Sequence, residues 1–365
     1  MLNYQLHGSH CLACGNKSIP LNDVSTWMEM VHLILYWAHP SIIGFGIVTG
    51  VVNIVTLARQ VQTSVDTYLT GLAVSSTLLQ LCGAFLWLPL YIGHYTIYQQ
   101  LHGYFVSIND WFWYTSLWLI LVMSLERVLS LTQNQTRSLC SPIQACVSTV
   151  MVYCVCLASS LPRFWEYEVV EYVDAKTNVT VYVSQRSDVA STPEYTIMYF
   201  WYLTSITVFL PIPVMIVLTC LLSKVTQSLV SSTKRRQTPR INNDHENRQP
   251  LTGPAFSVNP AEETNMTRLY ISFIGCYIVF TSPRTFLDLL PNLTVGIVDT
   301  DSSFYHTLHD LFQVLFYLNF SIQFLLFLSY YKHFRRTLKS MCCCCCCCGC
   351  SEDEDEIRNK NNPYI

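Results

Sequence analysis

Ser124-Leu125-Glu126-Arg127-Val128-Leu129-Ser130-Leu131 closes a long apolar segment with a carboxylate and a guanidinium side by side. An ionisable pair at the end of an apolar run is costly in a low-dielectric medium, so such pairs mark function more often than packing. The segment it closes is one of seven of similar length, at about 31–58, 66–93, 103–131, 141–162, 194–224, 266–290 and 305–331. Each is long enough for the ~20 apolar residues that a helix needs to cross a bilayer. Of 365 residues, 51% are hydrophobic and only 12% charged, against ~25% charged in an average soluble domain. Inside hydrocarbon only helices and closed barrels satisfy their backbone, and these continuous runs are too long for barrel strands. The expected fold is all-α: a seven-transmembrane helix bundle over 31–331, with an extracellular N-terminus at 1–30 and a short amphipathic eighth helix and cytoplasmic tail at 332–365.

Sixteen of the 21 Lys and Arg, among them Arg59, Arg127, Lys234, Arg235, Arg236 and Lys332, collect on one side of the predicted bundle. Lys17, Arg163, Lys176, Arg186 and Arg284 fall on the other side or in the half of a span nearest it. The bias places the C-terminus inside, and an odd number of spans then places the N-terminus outside. The first 26 residues hold no apolar core like that of a cleaved signal peptide, so the first span is expected to serve as the membrane signal. The sequons at Asn16, Asn178 and Asn292 fall outside and are candidate glycosylation sites; those at Asn134 and Asn265 fall inside and read as chance.

Of the 17 Cys, seven form the run Cys342–Cys348, with Cys350 beyond Gly349. The run follows Lys332-His333-Phe334-Arg335-Arg336-Thr337-Leu338 after three further residues, Lys339-Ser340-Met341. A basic amphipathic segment leading into juxtamembrane Cys is expected to lie on the lipid surface and carry acyl chains, with Cys342, Cys343, Cys344 and Cys345 the leading candidates. Consecutive Cys side chains cannot all converge on one tetrahedral ion, so a metal is not expected there. Residues 228–263 form a polar stretch that reads as an inner loop. The tail Ser351-Glu352-Asp353-Glu354-Asp355-Glu356 reads as a solvated acidic end.

Motifs along the spans resemble those of rhodopsin-like G-protein-coupled receptors, over about 31–341. Gly50-Val51-Val52-Asn53 is similar to the Asn-bearing motif of the first span, and Glu126-Arg127-Val128 stands where the family has Asp-Arg-Tyr. Thr63-Ser64-Val65-Asp66-Thr67-Tyr68-Leu69-Thr70-Gly71-Leu72-Ala73-Val74 resembles the start of the second span in invertebrate FMRFamide-type and related peptide receptors. Phe280-Thr281-Ser282-Pro283 stands for Cys-Trp-x-Pro in the sixth span, and Asn319-Phe320-Ser321-Ile322-Gln323 opens the seventh-span motif. The resemblance implies that Asn53 ties spans one, two and seven, that Arg127 is locked at rest by Glu126 and Glu263, and that Pro283 kinks the sixth span. It implies a fifth-span proline at Pro211 or Pro213. Ser76 replaces the second-span Asp, so Ser76, Ser116, Asn319 and Gln323 form a polar set without charge, and a sodium site is not expected. The fourth-span Trp is absent. No Cys stands at the outer end of the third span, where His102 is found, or in the second outer loop, so the family's cross-link between them cannot form.

On the ligand side, Tyr317 stands where a pigment would carry its Lys, which excludes retinal chemistry. Asn109 occupies the amine receptors' Asp position, with Asp110 adjacent. Glu166, Glu168 and Glu171, with Asp174, Asp188 and Glu194, make an acidic mouth suited to steering a cationic ligand. Alternation of Val and Tyr with polar residues over 170–184 predicts a hairpin. Trp113, Arg284 and Tyr317 complete the ligand-facing candidates with Asp110, Asn109, Glu166 and Glu168. The expected function is a plasma-membrane receptor for a peptide, with a heterotrimeric G protein and arrestin as inner partners and membrane lipid around it. Two other readings stand beside it: a seven-span scaffold or trafficking protein, and a seven-span transporter, which would want charge at mid-membrane. No enzyme motif is present, and no cofactor, metal or nucleic acid is expected.

Overall fold

The computed structural model describes residues 23–60, 63–88, 96–132, 141–173, 180–237, 260–293 and 303–345. Seven helical segments are long and apolar enough to cross a membrane: Leu33–Ala58, Ser64–Trp87, Ile97–Thr132, Pro142–Trp165, Pro193–Ser228, Thr264–Leu290 and Phe304–Tyr330. They coincide with the seven apolar runs. The largest difference is at the third, whose helix starts at Thr96. Polar residues such as Gln99, Gln100 and His102 lengthen it beyond the apolar stretch. The chain is a multi-pass membrane protein.

Local chemistry sets several ends. Thr63 caps the second span and Asp66 answers as its partner three residues on, a reciprocal capping box. Ser141 and Gln144 do the same for the fourth span, with Pro142 at the first helical position, where its missing N–H is no loss. Ile143, Val147, Val150, Met151 and Val155 leave an exposed apolar stripe on that span. Such a face suits lipid, in which exposed apolar surface carries no penalty.

The fifth and sixth spans share one irregularity. A π-turn over Ser205–Phe209 is followed by Leu210 and then Pro211; another over Tyr277–Thr281 is followed by Ser282 and then Pro283. Proline lacks a donor and crowds the carbonyl four residues back. The wider turn relieves that clash and bends the helix. The shared pattern assigns the fifth-span proline to Pro211.

The third span is the axis of the bundle, packed against the second, fourth, fifth and sixth; the first span leans on the second and seventh. One buried cluster, including Leu72, Leu117, Met123, Leu218, Phe273 and Phe327, fills the half of the bundle nearer Arg127. A second, including Leu79, Trp113, Tyr114, Phe316 and Tyr317, fills the other half. Trp111 donates to the Tyr153 carbonyl (3.0 Å), and the Tyr153 hydroxyl donates to the Gly71 carbonyl (2.8 Å). Spans two, three and four are thereby tied without a fourth-span Trp.

Two strands, β1 (Tyr167–Val173) and β2 (Thr180–Arg186), pair antiparallel between the fourth and fifth spans. This is the hairpin that the alternating Val and Tyr predict. At the opposite end the seventh span stops at Tyr331, which is extended, and a final helix runs over Lys332–Cys345. Arg335 Nη1 donates to the Leu328 and Ser329 carbonyls at 2.8 Å each, capping the orphan end of the span. Phe334 is fully buried against Phe327, ring centroids 5.3 Å apart. This final helix is the short one expected to follow the seventh span.

Candidate functional site

Polar groups gather at three levels of the bundle. At the Arg127 end, Glu126 and Arg127 are half-buried on the closing turns of the third span. Tyr270 of the sixth span is buried within electrostatic reach of Arg127, Glu126 and Asp66. Glu263 belongs to the first turn of the helix Pro260–Cys276, but its side chain lies outside the described residues, as does any pairing with Arg127. Asp66 does two things. Its Oδ2 accepts from the Thr63 backbone N–H (3.0 Å) and hydroxyl (2.7 Å). Its Oδ1 accepts from the Tyr331 hydroxyl. A buried carboxylate thus ties the second span to the corner between the seventh span and the final helix. The cap was legible as Thr-x-x-Asp; the Tyr331 partner, far along the chain, was not.

At mid-bundle the tie among spans one, two and seven runs through Gln80, not through Asn53 as the resemblance implied. Gln80 Nε2 donates to the Tyr317 carbonyl (3.0 Å) and to Ser321 Oγ (2.8 Å), and Ser321 Oγ donates to the Ile42 carbonyl (3.0 Å). Gly46 permits the approach, because a Cβ there would collide with the Gln80 amide and the Ser321 hydroxyl. Asn53 is buried and its Oδ1 has no partner. Ser76 Oγ and Gln323 Oε1 are likewise buried and unpartnered, and Asn319 is buried. Ser116 bonds Ser75 (2.8 Å) and its own helix at Phe112. Pro283 sits just past the π-turn, as described above.

At the hairpin end two charged groups form. In the first, Arg163 Nε lies 3.0 Å from Asp110 Oδ2 and Arg163 Nη1 lies 3.3 Å from Glu166 Oε2; Glu166 Oε1 in turn meets Arg186 Nη2 at 3.3 Å. Arg163 is 2% exposed, Asp110 6% and Glu166 8%. A charge so deep is stable only when an opposite charge is close by, and these contacts are ion pairs. The sequence offers Asp110 and Glu166 as ligand-facing acids and Arg163 only as a charge near the outer face; in the fold both acids pair with Arg163. The hairpin is also held by Gln99 Oε1, which accepts from the Ser184 N–H (3.1 Å), and by Tyr167 packed where Gly103 has no Cβ. The His102 and Tyr167 rings meet edge to face, centroids 5.8 Å apart. Ions, hydrogen bonds and ring contacts therefore fasten the hairpin to the third span where the family uses a cross-link. Burial pushes the Tyr167 phenol up to about 12, so it stays a neutral donor at any physiological pH. Glu168 lies apart, exposed on β1, accepting from Gln185 Nε2 (3.3 Å).

The second group brings together three of the other candidates. Arg284 of the sixth span lies over the Phe316 ring, Cζ 4.3 Å from its centroid, and 5.9 Å from the Trp113 ring. Trp113 and Phe316 meet edge to face at 5.5 Å, and Phe316 adjoins Tyr317 at 5.2 Å. Arg284 Nε is 3.7 Å from Asp288 Oδ2, and His309 stands between Asp288 (3.6 Å) and Asp310 (3.8 Å). Asn109 is buried with its Oδ1 unpartnered. Asp288, His309 and Phe316 were missed; only the fold aligns them with Arg284.

Asn16 and Asn178 lie outside the described residues, as does the Asn292 side chain. Cys342 is exposed on the final helix, and Cys343, Cys344 and Cys345 continue that helix with side chains outside the described set. Among the described residues the cysteines are all free thiols.

The family described as 7 transmembrane receptor (rhodopsin family) matches residues 49–325. An FMRFamide receptor of Drosophila melanogaster is 23% identical over 303 residues, which make up 80% of this chain and 50% of that protein. The chain thus spans about half the length of that curated relative.

Proposed function

Because the chain belongs to the rhodopsin family of seven-transmembrane receptors, we propose that it is a plasma-membrane receptor for an extracellular peptide and activates a heterotrimeric G protein. The hairpin end faces outside and the Arg127 end faces the cytoplasm. The observation that carries the reading is the placement of Glu126 and Arg127 on the third span within electrostatic reach of Tyr270 on the sixth. A ligand that binds better to a state with the sixth span swung outward shifts the population toward it. The π-turns before Pro211 and Pro283 supply bends about which the fifth and sixth spans can move. The peptide class is supported by the FMRFamide receptor relative and by the hairpin between the fourth and fifth spans.

G-protein dissociation in cells expressing the full chain, first without ligand and then with a library of neuropeptides in amide and acid forms, tests this. A peptide that triggers dissociation at nanomolar to micromolar concentration is the expected result. A receptor at the cell surface that dissociates no G protein in either condition would favour the scaffold reading instead.

A further inference from the structure

Resting on the receptor reading above, we propose that Tyr331 is a positioning residue for signalling: its bond to Asp66 latches the inner end of the bundle closed, and the latch opens when a G protein is admitted. Asp66 is 2% exposed, and an acid is almost never so deep unless partners surround it. An ionised carboxylate has about four acceptor sites, and four neutral donors fill them here. The Thr63 N–H and hydroxyl reach Oδ2 at 3.0 and 2.7 Å. The Tyr331 hydroxyl reaches Oδ1. So does the Gln60 amide nitrogen, at 2.9 Å, in the orientation that lets the amide oxygen accept the Phe334 N–H at 3.3 Å. The Thr63 bonds complete the helix cap. The Tyr331 and Gln60 bonds lie outside the cap and join it to the far end of the chain.

Those two bonds converge on a pivot. Tyr331, extended at φ −101° and ψ 100°, is the one residue between the seventh span and the final helix. Its N–H donates to the Phe327 carbonyl (2.9 Å), and its carbonyl accepts from the Arg335 N–H (3.2 Å). The Phe334 N–H belongs to the first turn of the final helix, where the helix itself supplies no acceptor. Asp66 thus grips the pivot from the second span. The sixth span grips it from the other side. Phe273 meets Phe327 edge to face, centroids 5.7 Å apart, and Phe327 adjoins Phe334 at 5.3 Å. Leu269, Tyr270 and Ile274 are buried in the same cluster, so the sixth span is packed inward while the latch is made. Swinging that span outward takes Phe273 off Phe327. The two grips share one pivot, so losing either eases the loss of the other. A hydrogen bond to a charged acceptor biases such a balance by about tenfold or more.

Tyr331→Phe removes the hydroxyl and keeps both the ring and the Thr63 cap. In cells expressing the full chain without ligand, it should raise G-protein dissociation per surface receptor by up to about tenfold. Asp66→Asn keeps an acceptor for Thr63 but trades a charge-assisted bond for one roughly half as strong, so its rise should be smaller. The double variant should exceed Tyr331→Phe by little, because both changes act on one bond. Hydrogen exchange on the full chain in lipid nanodiscs reads the latch without a G protein. Tyr331→Phe should speed exchange in the final helix and in the inner part of the sixth span, Pro260–Cys276, and leave the hairpin unchanged. If Tyr331→Phe does not reach the surface, Asp66→Asn carries both measurements. A merely structural role would lower surface expression and leave basal output per receptor unchanged or reduced. That result, or exchange that rises in the final helix alone, would overturn the proposal. A peptide-activated receptor whose basal output ignores both variants would remove the latch and leave the receptor reading intact. Faster exchange in the sixth span of a chain that dissociates no G protein would do the reverse.

Discussion

Arg163→Met should be among the most damaging single changes in the half of the bundle near the hairpin. The side chains of Arg163, Asp110 and Glu166 are 3%, 8% and 10% exposed. Breaking a buried pair by removing one partner costs ~3–5 kcal/mol, because the other charge is left behind. Here two carboxylates are left, only one of which has Arg186 to fall back on. Arg186 is 43% exposed, and a pair screened by water is worth ~0–1 kcal/mol. At roughly 2 °C per kcal/mol for a large chain, Arg163→Met should lower the apparent Tm by roughly 6–10 °C, and Arg186→Met by no more than about 2 °C. The double change Asp110→Leu with Arg163→Met removes both members of the 3.0 Å pair, and Glu166 keeps Arg186. It should therefore be more stable than Arg163→Met alone. Unfolding of a membrane protein is often irreversible, so all variants are compared by intrinsic fluorescence in nanodiscs at one scan rate. Equal losses for Arg163→Met and Arg186→Met, or a double variant whose loss is the sum of its parts, would refute the reasoning.

The mid-bundle tie predicts that Gln80→Leu, which removes two buried hydrogen bonds, destabilises by ~1–3 kcal/mol, and that Asn53→Ala costs less; the same thermal ramp ranks them, and the opposite order would return the tie to Asn53. Glu263→Ala should raise basal G-protein dissociation at equal surface expression if a Glu263–Arg127 lock favours the resting state; unchanged basal output would count against the lock. Several of Cys342–Cys350 should carry thioester-linked acyl chains, each contributing ~0.8 kcal/mol of membrane binding per buried methylene; hydroxylamine that releases no label from the tail would exclude them. Glu168 and Glu171, both exposed on β1, should speed the arrival of cationic peptides over a range of ~8 Å at physiological salt. Neutralising the two should slow association and flatten its salt dependence, whereas an on-rate indifferent to both would leave the acidic mouth without a role.

The spans could be read from the chain because twenty consecutive apolar residues are a property of one segment, independent of what it packs against. The same holds for Thr63 with Asp66, for Ser141 with Gln144 and for the alternation that becomes β1 and β2: each signal lies within a few residues of its partner. Partnerships between spans follow no such period. Arg163 reaches Asp110 across 53 positions of sequence, and Gln80 reaches Ser321 across 241. Which side chains meet depends on helix rotation and depth, fixed by contacts such as Gly46 against Gln80. This is why acids at the right level of the bundle looked available when one cation had already claimed both.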